Sequence, residues 1–370
     1  MKFLILSLIT HTSDPVTGRL LSTHDRLHKV VDHAVLAEEL GYDGYAVGER
    51  HERPFISSSP TVVLSHIAAR TKNIKLFTGV TTLALLDPVR AYEDYATLDN
   101  LADGRLELII GKGNGSAQRE LFHVTPDDQW DRNKESYELF RRLWREGKVT
   151  WSGQFRPPLN EAEVWPEPFQ HPIRVWHGSA TSRQSVDLAV EYGEPLFSAN
   201  VTNSIEPYAE LVSYYRSRWA EAGLNPEEAL VGAGTAGFSI AERSQDAVEA
   251  YRPLYAAREK AFAATGLEPS FTSYEDFIER SSALIGSPQQ VVDKIRRIHE
   301  HLGNEVVHLH ADGEGQTVAE HRAGLELFQS AVAPVLRREL PSRPLAAPVN
   351  PASSTTQASD INSKLTKVAV

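Results

Sequence analysis

The sequence has no cysteine among its 370 residues. That removes disulfides, thiolate nucleophiles, cysteine-ligated zinc and iron–sulfur clusters together, and it makes a reducing cytoplasm the expected location. A basic excess is missing too: 38 Lys and Arg face 49 Asp and Glu, a formal net charge of −11. Gripping nucleic acid or an anionic membrane needs a basic footprint, so neither partner is expected. No apolar run approaches the roughly 18 residues that a spanning helix requires. The opening Phe3-Leu4-Ile5-Leu6-Ser7-Leu8-Ile9 is short, follows a single Lys2 and runs into His11-Thr12-Ser13-Asp14 without a small-residue cleavage site. It reads as a buried strand rather than a signal peptide. Two enzyme signatures are also absent. There is no Gly-x-Ser-x-Gly elbow, and Gly111, Gly113 and Gly115 alternate instead of following the dinucleotide fingerprint, whose third glycine comes three residues after the second.

What is present is a long alternation of short apolar runs with helical patterns. Hydrophobic residues make up 41% and charged residues 24%, values ordinary for a soluble globular chain. Ser22 and Asp25 form a capping box, and Leu27, Val30, Val31, Ala34, Val35 and Leu40 then recur at helical spacing until Gly41. Strands are expected at 3–9, 42–51, 74–82, 106–111, 173–176, 195–197, 230–240 and 306–309. Helices are expected at 59–70, 88–101, 132–145, 182–192, 208–222, 246–264, 288–302 and 318–338. The strands of the first half read as continuously apolar, which suits a parallel sheet covered on both faces. Eight such units over this length are the arithmetic of an α/β (β/α)8 TIM barrel, with a doubly wound sheet as the competing layout. Residues 341–370 carry four prolines, a Ser353-Ser354-Thr355-Thr356 run and no aromatic side chain. Such a segment buries too little apolar area to offset its ordering entropy, so one domain over 1–340 and a disordered tail are expected.

In a barrel, function collects at the C-terminal ends of the strands. There the sequence places His11, Glu49-Arg50-His51, Gly79-Val80-Thr81-Thr82, Gly111-Lys112-Gly113-Asn114-Gly115, Gly178-Ser179-Ala180-Thr181-Ser182, Ser198-Ala199-Asn200, and His308, His310 and Asp312. Alternating glycines let a backbone approach a ligand while Lys112 reaches an anion. Ser179 and Ser182 precede a helix, where hydroxyls and backbone N–H groups favour a phosphate or simply cap the helix. Lys112 and Ser179, from adjacent strands, are expected to clasp one phosphate. His308 and His310 face one way on a strand, but no third and fourth metal ligand accompanies them. Trp176 and Phe197 are expected either to wall a pocket for a flat ring or to fill the core.

The run Asp87-Pro88-Val89-Arg90-Ala91-Tyr92-Glu93-Asp94-Tyr95-Ala96-Thr97-Leu98-Asp99, followed by Gly104-Arg105-Leu106-Glu107-Leu108-Ile109-Ile110-Gly111-Lys112-Gly113, closely resembles the bacterial luciferase-like flavin-dependent monooxygenase family. Glu49-Arg50-His51, Trp151-Ser152-Gly153, Gly178-Ser179, Gly286-Ser287-Pro288-Gln289-Gln290-Val291-Val292 and Ala333-Pro334-Val335-Leu336 extend the resemblance over about residues 1–338. It implies a barrel that binds reduced FMN at its C-terminal mouth, receives O2 and oxygenates a small organic substrate. By position, Lys112 replaces the family's arginine at the flavin phosphate, with Gly113, Gly178, Ser179 and Ser182 around it. Gly79 and Val80 fall where the family often has a non-prolyl cis peptide beneath the flavin ring. One departure stands out: luciferase itself has Glu-His-His after the second strand, and here Arg50 takes the place of the first histidine. Arg50 then either orients an anionic substrate or pairs with Glu49, and light emission from a long aldehyde is not implied.

The resulting expectation is a two-component monooxygenase fed with reduced FMN by a separate flavin reductase. His51 is the proton-handling residue and Arg50 its companion. The alternative is an F420-dependent oxidoreductase on the same barrel, which transfers hydride. A non-catalytic flavin-binding barrel and a metal-dependent hydrolase are the remaining classes. By resemblance a homodimer is expected through helices of the first half, where helix 59–70 carries Val62, Val63, Leu64, Ile67 and Ala68. Specificity is expected to lie in the long connections 155–168 and 256–280.

Overall fold

The computed structural model describes residues 1–113, 115–263 and 270–343. Asn114, part of connection 256–280 and all but the first three residues of the expected tail lie outside the described residues. Eight strands form a closed parallel barrel: β1 (Lys2–Ser7), β2 (Gly44–Val47), β3 (Lys75–Thr78), β4 (Leu106–Ile110), β5 (Val175–Ser179), β6 (Leu196–Ser198), β7 (Val231–Ala233) and β8 (Val306–Leu309). Their order around the barrel is their order in the chain. Leu4 closes the ring, lying opposite Gly44 of β2 on one side and His308 of β8 on the other.

Helices cover the outside: α1 (Thr23–Glu39), α2 (Pro60–Arg70), α3 (Pro88–Leu101), α4 (Ser116–Leu121), α5 (Gln129–Arg145), α6 (Arg183–Tyr192), α7 (Glu206–Glu221), α8 (Ser244–Ala263), α9 (Tyr274–Arg280), α10 (Pro288–Leu302), α11 (Val318–Leu327) and α12 (Ala333–Glu339). Local chemistry sets their starts. The Ser22 hydroxyl accepts the Asp25 N–H at 3.0 Å. The Asp87 carboxylate accepts Val89 and Arg90 N–H groups at 2.9 and 3.1 Å, with Pro88 in the first turn, where its missing N–H costs nothing. None of the helices among the described residues is long and apolar enough to cross a membrane.

Three expected elements differ. The run 230–240 is not one strand: it breaks after Ala233, and Phe238–Ile240 pairs instead with Leu284–Gly286 in a separate two-stranded parallel sheet. Gly234 and Gly237 flank the break. A Cβ on the first would run into the Ala199 carbonyl and on the second into the Tyr251 hydroxyl, so both permit close approach where the chain leaves the barrel. The helix expected over 318–338 is interrupted by a π-helical turn, Phe328–Val332, just before Pro334. Proline has no N–H to donate and its ring crowds the preceding turn, and the wider turn absorbs both. Connection 155–168 also contains a strand, Leu159–Ala162, paired antiparallel with Val149–Trp151.

Side chains alternate along each strand. The inward ones, Leu4, Leu6, Ala46, Phe77, Ile109, Trp176, Phe197 and Val306, join Leu230 in a plug inside the barrel. The outward ones, among them Phe3, Ile5, Tyr45, Val47, Leu76, Leu108, Val307 and Leu309, pack in the layer between barrel and helices. Trp176 therefore does not wall a pocket. It is fully buried, donates its Nε1–H to Glu107 at 2.8 Å, and meets the Phe197 ring edge-on at 5.9 Å.

Candidate functional site

The two-residue period of the strands decides what the barrel mouth is made of. Two positions beyond the plug residues Leu6, Ala46, Phe77, Ile109, Trp176 and Phe197 stand Leu8, Gly48, Gly79, Gly111, Gly178 and Ala199. Gly234 and His310 complete the same layer on the last two strands. The top layer is therefore almost without side chains. A Cβ at Gly48 would lie 2.5 Å from Leu8, at Gly79 2.7 Å from Leu6, at Gly111 3.0 Å from Val80 and at Gly178 2.7 Å from Val80. Leu8 and Val80 sink into the space these glycines leave, and both stay half-exposed above the plug. The result is a broad, shallow apolar floor with no side chain standing up from strands β2 to β7. The Gly79–Val80 peptide bond at its edge is cis.

Beside this floor lies the Glu49-Arg50-His51 segment. Glu49 is buried; its carboxylate accepts the Thr82 N–H at 3.1 Å and the Thr82 hydroxyl. His51 Nε2 lies 3.0 Å from Glu49 Oε1, and the Phe122 ring meets the imidazole edge-on at 4.7 Å. A carboxylate can only accept at this distance, so Nε2 carries a hydrogen and Nδ1 is the ring nitrogen turned away from Glu49. Arg50 does not pair with Glu49. Its guanidinium bridges to Glu52 and stacks 4.6 Å above the Phe55 ring.

Across the floor, β4 and β5 run side by side, with Ile110 opposite His177, so Lys112 and Ser179 leave neighbouring strand ends. Gln129 holds the Lys112 loop by donating to the Lys112 and Gly113 carbonyls at 2.6 and 3.2 Å, and the Lys112 side chain is exposed. Gly113 has φ +76°, and a Cβ there would strike the Gln118 amide. Ser179 accepts the Ser182 N–H at 3.0 Å, closing a tight turn ahead of α6, while the Ser182 side chain makes no cap. His11 lies apart from these groups. Its Nε2 bonds the Leu21 carbonyl at 2.8 Å in a cleft of about 470 Å³ between residues 10–21 and 312–320. That cleft also contains Glu314, whose carboxyl is pushed up to about 7 by burial and then by Asp312. His308 is buried against Phe197, with ring centroids 5.5 Å apart, and burial followed by the nearby His310 pushes its pKa down to about 3. Among the described residues no three His, Asp or Glu side chains are arranged to hold a metal ion.

A family model for luciferase-like monooxygenases matches residues 1–305. The chain belongs to this family. Limonene 1,2-monooxygenase of Rhodococcus erythropolis is 26% identical to this luciferase-like chain over 330 residues, 86% of it and 83% of that enzyme. The F420-dependent glucose-6-phosphate dehydrogenase of Kineococcus radiotolerans is 32% identical over 156 residues, 40% of this chain and 45% of that enzyme. The oxygenating constituent of 3,6-diketocamphane monooxygenase of Pseudomonas putida, solved in complex with FMN, shares the fold with a TM-score of 0.74 at 19% identity, covering 90% of this chain and 98% of that one. Both flavin and deazaflavin enzymes thus stand among the relatives of this luciferase-like protein.

Some residues of this family member's mouth were not among the expected site residues, and others were expected at the rim without a task. Leu8 joins Val80 in the floor, Gln118 and Gln129 shape the Lys112 loop, and Glu49, itself held by Thr82, holds His51. Each carries an ordinary local pattern, and only the tertiary contact reveals its task.

Proposed function

We propose that this luciferase-like protein is an FMN-dependent two-component monooxygenase acting on a small organic substrate. The observation that supports the reading is the layer above the plug, almost without side chains from β2 to β7 and flanked by an exposed lysine on a glycine-rich loop. A flat tricyclic ring needs such a floor, and its phosphate needs a cation at the edge. Leu8 and Val80 support the ring's face, and Gly79, Gly111, Gly113 and Gly178 let backbone approach it. Lys112 meets the phosphate, with N–H groups of the Ser179–Ser182 turn beside it. Bound reduced FMN supplies the electrons that reduce O2, one oxygen atom going to the substrate and the other to water. His51 holds or delivers a proton at Nδ1 while Glu49 fixes its ring, and Arg50, anchored by Glu52 and Phe55, borders the same side. A flavin reductase is the electron source, and the protein works as a cytoplasmic homodimer.

The similarity to an F420-dependent dehydrogenase supports a second reading, hydride transfer on the same floor. Anaerobic titration with reduced FMN and reduced F420, followed by admission of air, separates the two. Saturable binding of reduced FMN and its rapid oxidation in air are expected. A preference for F420 with no reaction towards O2 would move the assignment to hydride transfer.

A further inference from the structure

The side of the mouth opposite Lys112 carries polar groups whose partners are missing. Helix α8 packs on the two-stranded sheet of Phe238–Ile240 and Leu284–Gly286 and touches the loops that follow β7 and β8: Tyr251 fills the space beside Gly237, and Leu254 stands 2.8 Å from where a Cβ on Gly315 would be. From this helix Arg258 reaches the loop after β6. Its Nη2 makes one long bond, 3.5 Å, to the Val201 carbonyl, and the guanidinium stacks 4.5 Å from the centre of the Phe277 ring. Its Nη1 is buried with no hydrogen-bond partner, and no ion pair joins Arg258 to a carboxylate among the described residues. The next residue back along that loop, Asn200, is fully buried with φ +45°, and both its Oδ1 and Nδ2 lack partners. His310, inward-facing at the end of β8, adjoins the same arginine; burial lowers its pKa, with Asp312 pulling it back up and Arg258 adding a smaller push down.

A guanidinium cannot shed its proton, and burying an unmet charge beside an unmet amide is costly unless something completes both. The complement of these donors is an oxyanion: planar, with lone pairs for Nη1 and for the Asn200 amide hydrogen. Lys112 stands at the end of β4, opposite β8 and separated by β5 from β6, so the two cations leave different strand ends and one phosphate is not expected to meet both. We propose that Arg258 and Asn200 form an anion-recognition subsite, and that the substrate of this enzyme is an organic carboxylate held there by its carboxyl group. The substrate assignment rests on the monooxygenase reading above, whereas the subsite rests on the geometry alone.

Fluorine NMR titration of the full-length protein with para-trifluoromethylbenzoate and with its neutral amide tests this without turnover. The acid is expected to bind roughly tenfold more tightly than the amide. Arg258→Gln is expected to erase that preference, Arg258→Lys to retain part of it, and Lys112→Ala to leave it intact. Parallel titration with FMN is expected to show the reverse pattern, sensitive to Lys112 and indifferent to Arg258. Equal binding of acid and amide, or an acid preference that survives Arg258→Gln in a variant of parental melting temperature, overturns the proposal. So does a loss of FMN affinity on Arg258→Gln, which would make the arginine a cofactor contact. Should Arg258→Gln fail to fold, the Arg258→Lys titration decides: an undiminished acid preference refutes a bidentate guanidinium site. Failure of FMN to bind while the acid preference holds would remove the monooxygenase reading and leave the subsite standing.

Discussion

At the scale of single residues, the mouth separates groups proposed to meet a ligand from groups that hold those groups in place. Lys112 is exposed on a loop pinned by Gln129, so Lys112→Ala removes a charge and little packing. FMN affinity is expected to fall about ten- to a hundredfold, as for loss of one charge-assisted contact. Riboflavin, which has no phosphate, should bind the variant as it binds the parent, and an equal loss for both would place Lys112 elsewhere than at the phosphate. His308 gives a prediction of a different kind. Buried beside Phe197, it is held neutral with its pKa down at about 3, whereas in the unfolded chain it gains a proton near 6.5. Between these values the unfolded state binds more protons, so stability is full above that window and falls as the pH drops through it, by on the order of 1.4 kcal/mol per pH unit. His308→Leu should flatten the acid limb of a plot of unfolding midpoint against pH, and an unchanged limb would refute the assignment. The places of His51 and Lys112 at strand ends were legible, because apolar runs and glycine spacing mark them in sequence. The unmet donor of Arg258 was not, because it is visible only once α8 brings that side chain to the loop after β6.

At the scale of elements, glycines at strand ends do opposite jobs that look alike in sequence. Gly111 and Gly178 empty the mouth so that Val80 settles between β4 and β5, whereas Gly234 and Gly237 let the chain leave the barrel after β7. A Cβ at residue 178 would sit 2.7 Å from Val80 and 3.1 Å from the Ile110 carbonyl. Gly178→Ala is therefore expected to destabilise the fold by about 1 to 3 kcal/mol, the usual range for overpacking, and to lift Val80 into the space proposed for the flavin. Adding Val80→Ala should restore part of that loss, giving a favourable coupling of at least roughly 0.5 kcal/mol in a double-mutant cycle followed by urea unfolding. Strict additivity would mean that the two residues do not share this space. The same ambiguity explains why 230–240 read as one strand: its apolar pattern continues through the break, and only the contacts of Gly234 and Gly237 show where the backbone turns away. Pro334 carried the signal for the interrupted last helix, since a proline inside a helical pattern removes one donor, yet the apolar spacing on both sides of it made 318–338 read as one helix.

For the whole molecule, eight apolar runs separated by amphipathic helices were enough to place the barrel, because each connection is long enough for a parallel crossover and consecutive strands pair as neighbours. The composition of the mouth was one step further away. It depends on which member of each alternating pair faces inward, and β2 to β7 all bring a glycine or alanine to the same height only in the assembled register. Among the exposed apolar side chains of the outer surface, which include Trp165 and Val318, two lie on the neighbouring helices α2 and α3. Val62 on α2 is 68% exposed and Leu101 at the end of the adjacent α3 is 60% exposed, while Leu64 and Ile67 of α2 are buried inward. Single exposed apolar side chains are ordinary, so neither residue alone argues for a partner; both lie on helices of the first half, where the resemblance implies self-association, which makes a contact through these helices testable. Light scattering is expected to give the mass of a dimer at micromolar concentration, and Val62→Lys combined with Leu101→Lys to give a monomer that keeps its melting temperature and its FMN affinity. A monomeric parent would exclude self-association through this face, and a double variant that remains dimeric would place the contact on other helices.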